Sequence, residues 1–176
     1  MFLKLPGYKN LVLLFKKNSY FALLLLAFLR VASSSEVNQN FNLTEIVENN
    51  YVHIGIHVSI EHEKNDDIAN VGFIVGDDCV AVIDTGGSIK IGEMLKKSIR
   101  TITNKPICYV INTHIHYDHV LGNYAFIDEN AVFVGHKNLA EAINQNRNFF
   151  LTQFKNNLGL GANESYIVAP KKLIQE

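Results

Sequence analysis

A strand–helix–strand pattern ending in a cluster of histidines constrains this chain more than any other feature. Cys79–Ile83 is a short apolar run closed by Asp84-Thr85-Gly86-Gly87. Ser88 stands where an N-cap belongs, and Ile91, Met94, Leu95, Ile99 and Ile102 then recur at helical spacing. Pro106 stops the helix, and Ile107–Ile111 is a second buried, β-branched strand. Such a unit is a right-handed crossover, which makes its two strands parallel neighbours. The run His114-Ile115-His116-Tyr117-Asp118-His119 follows at the carboxyl end of the second strand, where sheets of this kind gather ligands.

The flanking segments extend the sheet. Val71–Val75, the polar turn Gly76-Asp77-Asp78 and Cys79–Ile83 form a β-hairpin. Leu43–Val47 and Tyr51–Ile60 alternate apolar and polar residues and are predicted strands joined at Glu48-Asn49-Asn50, followed by a charged loop over Glu61–Asp67. Ala131–Gly135 is predicted as a third strand of the crossover series. Lys137–Asn146 is a predicted helix, and Asn148–Leu158 another, bearing Phe149, Phe150 and Phe154. Pro170–Glu176 carries no clear element.

Residues 1–33 differ from the rest. Lys4, Lys9, Lys16, Lys17 and Arg30 are unopposed by any acidic residue, and the apolar stretch Tyr20–Leu29 runs into small residues at Ala32-Ser33-Ser34. A basic start, a short apolar centre and a small-residue cleavage site predict a secretory signal peptide. The expected organisation is therefore a signal peptide over 1–33, a polar linker over 34–42 and a domain over 43–176. The expected location is outside the cytoplasm, in a bacterial periplasm, with an uncleaved leader anchoring the protein to the membrane as the alternative. Without those five basic residues the chain keeps 11 Lys and Arg against 17 Asp and Glu. So acidic a domain, with no basic cluster after residue 34, is not expected to bind nucleic acid. Cys79 and Cys108 fall at similar places on two strands expected to be neighbours. Export permits a disulfide, and two small buried side chains are the other, favoured reading.

Three of the chain's seven histidines and one aspartate lie within six residues. Neutral imidazole and carboxylate are good zinc ligands. A turn just past a buried strand can aim His114 and His116 at one ion, and Asp118 and His119 at a second. Two such ions activate hydroxide at neutral pH. Asp118 is also the expected catalytic residue, holding the attacking oxygen through a hydrogen bond.

These residues resemble the metallo-β-lactamase superfamily, on Asp84-Thr85-Gly86, Asn112-Thr113-His114-Ile115-His116-Tyr117-Asp118-His119 and Gly122-Asn123. The chain is most similar to the quinoprotein relay system zinc metallohydrolases. That likeness rests on Asp67–Gly76, Ile83–Ser88, Gly122-Asn123-Tyr124-Ala125-Phe126, Phe133–His136 and Ile167-Val168-Ala169-Pro170. The resemblance implies an α/β, αββα-sandwich fold and a site of two zinc ions, with His114 and His116 on the first and Asp118 and His119 on the second. It implies a metallohydrolase cleaving an ester, thioester or amide of a small molecule with metal-activated hydroxide, and a functional link to quinoprotein dehydrogenases. Asp84, at the neighbouring strand end, is then an orienting residue behind the ligands, accepting backbone N–H groups, or both.

The family pattern also calls for a third His, a bridging Asp and a further His from a second αβ half. After His119 the only remaining histidine is His136, which is expected at the start of a helix, with a place in the pocket as the alternative. His53 and His57 share a strand face in the predicted strand and, with His62, line either the pocket entrance or solvent. The expected structure is therefore the amino-terminal half of the sandwich, a fragment whose uncovered sheet face invites self-association. A truncated, non-catalytic metal-binding remnant is the alternative function, and a class B β-lactamase another.

Overall fold

The computed structural model describes residues 41–175. The predicted signal peptide and most of the linker lie outside the described residues. One seven-stranded sheet runs in sequence order: β1 (Leu43–Val47), β2 (Asn50–His53), β3 (Val71–Val75), β4 (Val80–Ile83), β5 (Ile107–Ile111), β6 (Val132–His136) and β7 (Lys172–Ile174). The first three pairings are antiparallel and the last three parallel, so the sheet is mixed, as expected.

Helix α1 (Ile89–Ile102) is the crossover between β4 and β5, and its Ser88 cap accepts the Ile91 N–H at 3.1 Å. Leu95 and Ile99 bury against Val80, Val82, Ile107 and Val110 on one sheet face, with Phe73, Phe126 and Phe133 completing that core. Ile102, at the end of the periodic row, stays 39% exposed. A one-turn helix α2 (Tyr117–Val120) leads into a 3-10 stretch over Leu121–Glu129. Next come α3 (Lys137–Gln145), α4 (Arg147–Gln153) and α5 (Lys155–Leu158). A second core gathers Tyr117, Leu139, Ile143, Phe150, Leu158 and Ile167.

Among the described residues, the opposite sheet face stays open. Register places Ile74, Ala81, Tyr109 and Val132 in one row across β3 to β6, and Ile74, Tyr109 and Val132 are 43%, 39% and 42% exposed.

The structure corrects four local expectations. The strand predicted over Tyr51–Ile60 is only Asn50–His53, because its partner β3 ends the pairing at His53↔Val71. Beyond it the chain bends so that Gly55 lies against the backbone of Ile68 and Ala69, where a Cβ would come within 2.5 Å of the Ile68 carbonyl carbon. Helix Asn148–Leu158 is broken at Phe154, whose ring stacks on Tyr117 with centroids 4.2 Å apart. Pro170–Glu176 contributes an unforeseen strand, β7, a three-residue edge pairing whose residues are all exposed and so leave no apolar pattern to read. Finally, Cys79 and Cys108 form a disulfide with Cα atoms 5.8 Å apart, where two unlinked side chains were the favoured reading. The parallel pairing of β4 and β5 brings them together.

Candidate metal centre

The site grows from the ends of β4 and β5. Their register sets Ile83 beside Ile111, so the residues that leave the two strands, Asp84 and Asn112-Thr113, emerge as neighbours. Asp84 adopts φ 56°, a left-handed conformation that aspartate tolerates better than most residues because its short side chain can bond locally. Its backbone N–H donates to Ile111 O at 2.9 Å, and its carboxylate continues the connection. Oδ1 accepts the Thr113 N–H at 2.9 Å, and Oδ2 accepts the Thr113 hydroxyl at 2.7 Å and His119 Nδ1 at 2.8 Å. Asp84 is 3% exposed, so these three donors replace the water it has lost.

This carboxylate sets the proton positions on two histidines. Since His119 donates from Nδ1, its Nε2 keeps the lone pair. The Thr113 hydroxyl spends its proton on Asp84, so its oxygen accepts from His114 Nδ1 at 2.9 Å, and His114 Nε2 also keeps a lone pair. The two titrate in opposite directions. Burial lowers the His119 pKa, but the Asp84 hydrogen bond and charge outweigh it and raise the group above its ordinary value. His114 is held below its ordinary value by burial first, then by the neighbouring His119 and His116.

Donor atoms of Asp84, His114 and His119 lie within 4.8 Å of one another. His114 Nε2 faces His116 Nδ1 at 3.1 Å, and His119 Nε2 stands 3.5 Å from Asp118 Oδ2. Two ligands of a tetrahedral zinc, each at about 2.0–2.1 Å, are roughly 3.3 Å apart. Both spacings fit the edge of such a tetrahedron, and the second is long for a hydrogen bond. The donor set is thus chemically suited to zinc. Asp84 belongs behind it, because its oxygens already hold three donors.

A buried amide network supports the loop from below. The Thr85 hydroxyl donates to Asn123 Oδ1 at 2.9 Å, and its backbone N–H donates to His119 O at 3.0 Å. Asn112 Nδ2 donates to Asn123 Oδ1 at 3.0 Å, while Asn123 Nδ2 donates to Asn112 Oδ1 and to Val168 O, both at 2.8 Å. Thr113, Asn112 and Asn123 thus join the site, although the sequence motifs alone assign them no role. Their polarity in an apolar context was the available signal.

The remaining candidates make other contacts. His136 ends β6 and caps α3, its Nδ1 accepting the Asn138 N–H at 3.2 Å. His57 lies beyond the end of β2 on an exposed loop, so the strand face it was to share with His53 does not exist. His53 is buried, stacks on Phe41 and bonds Asp67. His62 is exposed, and its Nδ1 accepts the Lys64 N–H at 3.1 Å.

Comparison with known proteins agrees with this architecture. Residues 65–157 match the sequence model of the metallo-beta-lactamase superfamily. Over 54 residues, 31% of this chain and 10% of the relative, the sequence is 37% identical to a linear primary-alkylsulfatase from Pseudomonas sp. (strain ATCC 19151). The fold is similar to a metallo-beta-lactamase from Erythrobacter litoralis, with TM-score 0.53 and 15% identity over 78% of this chain and 51% of that one. It is similar too to a metallo-beta-lactamase from Hirschia baltica, with TM-score 0.51 and 17% identity over 76% and 51%. The chain therefore spans about half the length of these solved structures.

Proposed function

The chain belongs to the metallo-beta-lactamase superfamily, and from that premise we propose a zinc-dependent hydrolase acting on an ester, thioester or amide bond of a small molecule. His114 Nε2 and His116 Nδ1 would hold one zinc, and Asp118 and His119 Nε2 a second. Zinc, when bound, supplies Lewis acidity that brings the pKa of water towards about 7 and polarises a carbonyl. The chain's own residues do the rest. Asp84 and Thr113 keep protons on the Nδ1 atoms of His119 and His114, so that both Nε2 atoms are free to ligate. Asp118 accepts a hydrogen bond from the attacking water. The local likeness to an alkylsulfatase supports an ester among the candidate bonds.

The observation that carries this reading is the facing pair His114 Nε2 and His116 Nδ1 at 3.1 Å, with the His114 ring held by Thr113 just past the end of β5. The test is zinc per chain in the purified protein, with His116→Ala beside it. Close to two zincs, lost in the variant, is the expected result. Less than about half a zinc per chain means that the ligands present do not suffice to hold the metal.

That second outcome corresponds to a specific alternative, a non-catalytic chain that binds metal weakly or not at all. It is supported by the engagement of His136 as a helix cap. The open row Ile74, Tyr109 and Val132 would then favour association with another copy. A class B β-lactamase, using the same site on a lactam amide, is a third reading, supported by the fold shared with the metallo-beta-lactamases of Erythrobacter litoralis and Hirschia baltica. The likeness to the quinoprotein relay proteins favours export to a bacterial periplasm, by a cleaved or retained leader, and association with quinoprotein dehydrogenases. The Cys79–Cys108 disulfide supports an oxidising compartment.

A further inference from the structure

Beside the metal cluster lies an apolar groove of about 300 Å³ whose wall includes the ring of His116. Ile115 and Tyr117 flank that histidine in the chain, and Phe149, Phe150 and Phe154 face them from α4 and the break that follows it. The walls are set by packing. The Tyr117 hydroxyl donates to Asn65 O at 3.1 Å and its ring stacks on Phe154, with the planes 15° apart. Phe149 stands edge-on to both Phe150 and Phe154, with centroids 5.9 Å and 6.0 Å away. Phe150 is 3% exposed and forms the floor, whereas Phe149 is 53% exposed and forms the rim. Asn146 completes the lining, which has no Asp, Glu, Lys or Arg.

Resting on the zinc-hydrolase reading, we infer that this groove receives an uncharged aryl substituent of the substrate, delivering the scissile bond to His116 and its neighbours. A charged tail would lose its water here without gaining a counter-charge. An aryl group can meet the aromatic walls in stacked or edge-to-face geometry, and it covers the half-exposed Phe149. The volume lies at the lower end of the roughly 300–1,000 Å³ range of small-molecule sites, which suits one compact ring system.

The test uses the full chain loaded with zinc and titrated with 3-phenylpropionate or propionate, following backbone amide shifts by NMR. 3-Phenylpropionate is expected to bind about tenfold or more tighter than propionate, moving the amides of Ile115, Tyr117 and Phe150. Phe149→Ala, at an exposed position that the fold does not need, should shrink that preference at least about threefold with zinc content unchanged. Equal affinity for the two acids, or a preference that Phe149→Ala leaves intact, would overturn the inference. Benzyl alcohol, which has no metal-binding carboxylate, separates the two readings in zinc-free protein. The same amide shifts without zinc uptake sustain the groove and sink the hydrolase, while zinc uptake without benzyl alcohol shifts sinks the groove alone.

Discussion

His119 Nδ1 donates to Asp84 Oδ2 across 2.8 Å, although the two residues are 35 positions apart in the chain. The contact exists because parallel β4 and β5 end in register and because Asp84, at φ 56°, turns its carboxylate towards the neighbouring strand end. One buried carboxylate thereby fixes the tautomer of His119 directly and that of His114 through Thr113.

Asp84→Asn isolates that effect. Asparagine tolerates the left-handed conformation, so the turn is expected to survive, but the amide offers no charge to the imidazole. Zinc affinity, measured by competition with a chromophoric chelator, should weaken by about 10–100-fold. Unchanged affinity would remove Asp84 from the positioning of His119.

His53 predicts a pH dependence of stability away from the metal cluster. Burial lowers its pKa, but the Asp67 hydrogen bond, the Asn42 carbonyl and the Asp67 charge outweigh burial and raise it above its ordinary value. Both ring nitrogens face acceptors, Asn42 O at 3.0 Å and Asp67 Oδ1 at 2.6 Å, an arrangement that requires the doubly protonated ring. The stabilisation is therefore fully present below the unfolded pKa of about 6.5 and is lost as pH rises through the higher folded value. Urea titrations of zinc-free protein across that window should show stability falling as the pH rises. Asp67→Asn should flatten the profile, and a profile equally steep in the variant would assign the dependence to other groups.

Gly122 is a point of close backbone approach. A Cβ there would lie 2.0 Å from Thr85 O and 2.7 Å from its carbonyl carbon, so backbone must move. Gly122→Ala should cost about 1–3 kcal/mol in chemical denaturation. Because Thr85 bonds His119 O, it should also lower zinc uptake. A variant as stable as the parent would show that the approach relaxes freely.

The Cys79–Cys108 disulfide closes a loop with a sequence separation of 29 residues, at the amino-terminal ends of β4 and β5, away from the metal cluster. Replacing both cysteines by alanine should lower stability by roughly 2–4 kcal/mol, with zinc content per folded chain preserved. A double variant equal to the parent under non-reducing conditions would mean that the bridge does not form in solution.

Local rules account for what the sequence alone determined. The Ser88 cap and the spacing of Leu95 and Ile99 dictate α1, and hydrophobic runs bounded by turn residues dictate β3, β4, β5 and β6. The clustering of His114, His116, Asp118 and His119 was equally plain, because those residues are close along the chain. What depends on register and distance was set by how the strands pair and the chain packs. Tertiary pairing shortened β2 where β3 supplies no further partner, recruited β7 as an edge strand, and turned His53 inward to Asp67 while leaving His57 outside. It also joined Cys79 to Cys108 and brought Phe149, Phe150 and Phe154 beside His116. The reason is physical. A cap or a helical period is satisfied by neighbours within a few residues, whereas the partner of a buried carboxylate is chosen by which strand ends the sheet sets side by side.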